Sequence, residues 1–127
     1  MSRGPVGDTV QVINRARGSV LVERARWCRS FLCRLRGLTF RRRLGEGEGL
    51  ILVERREGRS CTAIHMWAVF FPLGVLWINS RYVVVDARLA RPWRMYQPAA
   101  PAQYVLEGNP AILSDITIGD QLDFVRA

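Results

Sequence analysis

Residues 60–77 read SCTAIHMWAVFFPLGVLW, the most apolar stretch of the chain and the one that holds its single histidine, His65. From Met66 to Ile78 all 13 residues are apolar when Pro72 and Gly74 are counted, against the roughly 20 that a spanning helix needs. Pro72 and Gly74 also break any helix begun there. Two buried strands are predicted instead, about Cys61 to Phe70 and Val75 to Ile78, with a bend or bulge between them. Runs this apolar belong to strands covered on both faces.

The flanks extend the β pattern. WINSRYVVV predicts a tight hairpin at Asn79-Ser80 leading into a strand from Tyr82 to Leu89. ARPWRMYQPAAPAQ, with Pro92, Pro98 and Pro101, reads as a partly extended loop. YVLE follows as a short strand, and ITIGDQLDFV closes the chain with a corner at Gly119-Asp120 and a last strand. Upstream, TVQVINRARGSVLVERA alternates apolar and polar residues on both sides of NRARGS, the pattern of a hairpin. GEGEGLILVE is a glycine-rich turn feeding a strand at Leu50 to Val53; without a Lys-Ser/Thr ending and a following helix it is no phosphate loop.

One segment changes period. At about 100° per residue, Trp27, Cys28, Phe31, Leu32 and Leu35 fall on one helical arc, while Arg26, Arg29, Arg34 and Arg36 fall opposite. A short amphipathic helix near residues 26–36 is predicted, capped by Gly37. The resulting expectation is a mainly β fold: a compact β-sandwich or barrel forming one domain over residues 1–127, with residues 1–9 a loose tail. A chain of 127 residues buries roughly two-thirds of its unfolded surface, enough for one core.

Charge is the distinctive part of the composition. All 19 basic residues are arginine, the formal net charge is +8, and eight arginines without an acid lie between Arg24 and Arg43. The guanidinium fork suits carboxylate and phosphate, which points to an anionic partner. Arginine-only usage equally follows from base composition or heat tolerance, and Glu46, Glu48, Glu54 and Glu57 follow closely enough to neutralise a solvated face. The amino terminus shows no apolar signal segment, so the cytoplasm is the expected place. Three cysteines form no metal or redox pair, and Cys28 and Cys33, about 140° apart on the predicted helix, are not expected to bridge each other.

Candidate chemistry is sparse. One histidine with scattered cysteines makes no metal set, there is no nucleophile elbow, and no cofactor is implied. His65 reads first as a hydrogen-bonded core or cleft residue and second as a ligand contact. Trp67 and Trp77 read as core; Trp93, beside Arg91 and Arg94, reads as loop packing or as a ring that stacks on a base or sugar.

Taken in order, RLRGLTFR, GEGLIL, SCTAIHMWAVFFPLGVLWIN, VVVDARLARPWR and YVLE followed by IGDQL resemble the family catalogued as domain of unknown function 192, from about Val10 to Val125. The resemblance implies a jelly-roll-like β domain of bacterial or archaeal origin and carries no activity. The family pattern has Met four residues after the histidine and Asp after the Pro-Leu pair, where this chain has Val69 and Gly74. The function expected is a non-catalytic binding or interaction module for an anionic small ligand or protein partner, with His65, Arg34, Arg36 and Arg41 as contacts. Two alternatives are a small enzyme with a His65-lined cleft, and non-specific binding of nucleic acid or acidic membrane through Arg24 to Arg43.

Overall fold

In a computed structural model, which describes residues 9–29, 44–66 and 69–126, the second half of the apolar stretch is a strand, Leu73–Ile78, with all six residues buried. Nine strands are present among the described residues: β1 (Thr9–Asn14), β2 (Ser19–Cys28), β3 (Glu48–Gly58), β4 (Ile64–His65), β5 (Leu73–Ile78), β6 (Val84–Ala90), β7 (Met95–Tyr96), β8 (Ala102–Gly108) and β9 (Leu122–Arg126). A 3₁₀ helix, Pro110–Asp115, separates β8 from β9. Seven strands form one sheet in the order β6-β5-β8-β3-β2-β1-β9, and β4 with β7 makes a two-stranded flap. Within the large sheet only β2 and β3 run parallel.

The sheet curls into a half-barrel within a single compact, mainly β domain. Its two edge strands approach each other at one end, where Val83 bridges Gln121 and the amide of Val84 donates to the carbonyl of Asp120 at 2.9 Å. Curling divides the apolar side chains into two sets. Leu50, Val75, Trp77 and Val105 pack on one face beneath the flap residues Ile64 and Met66, while Ile51, Leu76, Ile78 and Leu106 pack on the other with Val12, Val22 and Leu122. The central strands are therefore covered on both faces, as their unbroken apolar runs predict. Trp77 is core and donates its indole N–H to the carbonyl of Thr62 at 2.8 Å.

Three glycines explain how the 3₁₀ helix seats. Gly49, Gly108 and Gly74 lie side by side across β3, β8 and β5. A Cβ on Gly74 would come within 2.8 Å of the Asn109 carbonyl oxygen and 2.9 Å of Ile112, and one on Gly108 within 3.3 Å of Ile112. The bare backbone is the floor on which Ile112 rests. At the opposite end, Tyr82, Tyr104 and Phe124 contact one another at centroid distances of 5.4 to 5.5 Å.

Several expectations need correcting. The helix near residues 26–36 does not begin at Arg26, because Arg26, Trp27 and Cys28 continue β2; residues 30–36 lie outside the described residues. The reason is pairing: five residues of β2 hydrogen-bond alongside β3, and sheet contacts override a helical wheel drawn from a few positions. Cys28 is disulfide-bonded and Cys61 is a free thiol. The angular argument separating Cys28 from Cys33 lapses with the helix through Cys28, and Cys33 lies outside the described residues. Strand Cys61 to Phe70 shrinks to Ile64–His65, and the proline-rich loop contains β7. The hairpin loop after β5 is longer than two residues, with the Asn79 side chain accepting from the amides of Arg81 and Val83. No helix among the described residues is long and apolar enough to cross a membrane.

Candidate functional site

The parallel β2–β3 pair sets Arg24 beside Glu48 and Arg26 beside Leu50. Side chains alternate along a strand, so Ala25 and Trp27 join the inner apolar set while Arg24 and Arg26 turn to the face that carries Cys28. There they border a cavity of about 220 Å³. Leu44 and Leu50 give it an apolar lining, Arg24, Arg26 and Glu48 give it charge, and Thr9 adds a hydroxyl.

The two arginines differ. Arg24 is exposed and donates from Nη2 to the carbonyl of Glu46 at 3.0 Å. Arg26 is half-buried, and its Nε is a buried donor with no hydrogen-bond partner. Leaving such a donor unsatisfied costs roughly 1–3 kcal/mol, and more for a charged group. The Glu48 carboxylate is anchored by the amide of Gly45 at 2.6 Å.

One strand further across the sheet stands Glu107. It pairs with Leu50 on one side and Val75 on the other, so Arg26, Leu50 and Glu107 follow one another across β2, β3 and β8. Glu107 is 6% exposed, and burial alone pushes its carboxyl up to about 7. Asp86, the other buried acid, is fully engaged: it accepts from Arg88 at 3.0 Å and from the amide of Ala99 at 2.9 Å. These contacts tie β6 to the proline-rich loop.

His65 is not a core residue. It lies on β4 opposite Met95 of β7 with its side chain exposed, because Ile64 and Met66 take the inward positions of that short strand. It does not line the arginine cavity. Arg34, Arg36 and Arg41 lie outside the described residues, as does Trp67. Trp93 is not packed away: it is 59% exposed and its ring meets Phe70 at 6.3 Å. No group of three or more His, Cys, Asp or Glu side chains that could hold a metal is gathered among the described residues.

The Arg26 cavity is the feature that sequence reasoning missed. The helical wheel put Arg26 on a solvated face. Yet Arg24-Ala25-Arg26-Trp27 alternates charged and apolar residues, and extending the strand to Cys28 would have set both arginines on one face.

The chain matches the sequence pattern of DUF192, described as Uncharacterized ACR, over residues 12–124. It is 31% identical to a UPF0127 protein of Pyrococcus furiosus over 91% of this chain and 98% of that one. A UPF0127 protein of Thermococcus kodakarensis is 30% identical over 84% of this chain and 67% of its own length. Among solved structures, a protein of unknown function from Novosphingobium aromaticivorans superposes with a TM-score of 0.78 at 24% identity, covering 91% of this chain and 83% of that one. At that identity the likeness is one of fold.

Proposed function

The chain belongs to the DUF192 family, and we propose that it is a non-catalytic binding module that holds a small anion in the cavity between Arg24 and Arg26. The observation that supports this reading is the buried, unsatisfied Nε–H of Arg26 at the wall of a recess that also carries Arg24 and Glu48. A carboxylate or phosphate oxygen is the acceptor such a donor calls for, and a guanidinium offers it a fork. About 220 Å³ lies below the usual 300–1,000 Å³ of drug-sized pockets, which favours a ligand on the scale of phosphate or a short carboxylic acid. Glu48 sets a limit: two arginines against one carboxylate leave a single net positive charge. The ligand is accordingly a monoanion, or a larger anion that draws on Arg34, Arg36 and Arg41 as well. The cytoplasm is the place proposed, supported by the free Cys61 thiol and opposed by the bonded Cys28.

Thermal denaturation in rising inorganic phosphate or citrate tests the reading. A ligand that binds only the folded state adds roughly 2.7 kcal/mol at a hundred times its Kd, which raises Tm by several degrees in a domain of this size. The shift is expected in the wild type and absent in Arg26→Gln, and smaller in the pair Arg34→Ala with Arg41→Ala. An equal shift in Arg26→Gln would move the site elsewhere.

A further inference from the structure

The flap carries a surface that the anion cavity does not use. Antiparallel pairing of β4 with β7 turns Ile64 and Tyr96 toward the core and leaves His65 and Met95 outward. Next to them stand Trp93 and Phe70. Phe70, Trp93 and Met95 are 55%, 59% and 64% exposed, three of the most exposed large apolar side chains among the described residues. Phe70 and Trp93 meet ring to ring, and Met95 follows two residues after Trp93 on β7. The Trp93 amide donates to the Met66 carbonyl at 2.7 Å, and the Met66 amide donates to the Arg94 carbonyl at 2.6 Å.

The backbone holds Trp93 outward. Its φ is +68°, the left-handed region that a bulky residue adopts only when its surroundings impose it. Here the two flap hydrogen bonds impose it, and the result presents a tryptophan to solvent. Arg91 and Arg94 flank it and are exposed. Between Ser60 and Leu106 the sequence holds one acid, Asp86, and that side chain is buried and paired. The patch is thus aromatic, apolar and cationic, with no carboxylate of its own segment to offset it.

From this juxtaposition we infer that the β4–β7 flap is a docking surface for an anionic lipid bilayer, with Phe70, Trp93 and Met95 entering the interface and Arg91 and Arg94 resting on the headgroups. Tryptophan is favoured at the level of the headgroups, and arginine keeps its charge in water while its stem lies along apolar surface. Other occupants fit less well. A second copy of this chain docked face to face would oppose arginines to arginines. An acidic peptide adding as a strand would need an edge, and β4 and β7 are two residues long. A bilayer needs neither a groove nor an edge.

Flotation of the full chain with vesicles decides it. Wild type is expected to float with vesicles of phosphatidylglycerol and phosphatidylcholine and to stay behind with phosphatidylcholine alone. The variant F70S/W93S keeps the +8 charge and replaces only exposed side chains, so it separates insertion from simple attraction of a basic protein. It is expected to bind the anionic vesicles at least tenfold more weakly, and R91Q/R94Q to weaken binding as well. Equal binding by F70S/W93S overturns the inference, as does failure of the wild type to float in low salt. Capture of poly-glutamate through the patch without flotation also overturns it and assigns the surface to an acidic protein. Because F70S/W93S leaves Arg26 untouched, its phosphate-induced Tm shift should persist, which keeps this test independent of the anion cavity.

Discussion

Glu107 carries a measurable consequence of its place in the sheet. Its carboxyl titrates at about 7 in the folded chain against 4.5 as the ordinary value, because burial penalises the carboxylate. The folded state therefore holds the proton more tightly than the unfolded one. The associated stabilisation is complete below about pH 4.5 and is lost as pH rises through about 7. That difference amounts to roughly 3 kcal/mol. Urea unfolding at pH 5 and pH 8 is expected to show the loss in the wild type and little of it in Glu107→Gln. A wild type equally stable at both would mean that Glu107 is solvated. Asp120 and Asp123 act in a lower window: hydrogen bonds from Asn14 and Arg15 hold their carboxyls below the usual value, so their contributions disappear only as the solution becomes more acid. Glu107 was not legible from sequence, since YVLEG alternates correctly whether or not its acid faces solvent. Trp77 was legible, because an unbroken apolar strand such as Leu73–Ile78 is covered on both faces.

At the scale of elements, the strands with strong alternation or unbroken apolar character were readable: the β1–β2 hairpin, β5, β6, β8 and the corner into β9 follow from residue order alone. The short pieces were not. β4 and β7 have two residues each, and their pairing joins positions 30 and 32 apart in the chain rather than following local preference. Gly74 tests this scale. The family resemblance places an aspartate there, but a Cβ at this position meets the Asn109 carbonyl and Ile112 at under 3 Å. Overpacking of this kind costs about 1–3 kcal/mol, and burying a carboxylate adds to it. Gly74→Asp is expected to lower stability by at least ~2 kcal/mol in urea unfolding. A neutral result would mean that the 3₁₀ helix shifts freely and that the glycine row does not hold it.

For the whole molecule, the curled sheet explains why a basic chain with few candidate catalytic groups still has two distinct surfaces. Closing the half-barrel uses one face of β2, β3, β5 and β8 for the inner core. The other face carries the second core and, at its β2–β3 end, the arginine recess. The β4–β7 flap closes over that outer core and displays Trp93 beyond it. Sequence gave warning of the charge but not of its position, since Arg26 faces the recess only once β2 has paired in parallel with β3. The most direct measurement is the arginine Nε–H region of a ¹⁵N-correlated NMR spectrum, followed while inorganic phosphate is added. The Arg26 cross-peak is predicted to move downfield and to saturate, and to be missing from the spectrum of Arg26→Gln. An Arg26 signal that stays in place while other arginine signals shift would contradict the anion cavity.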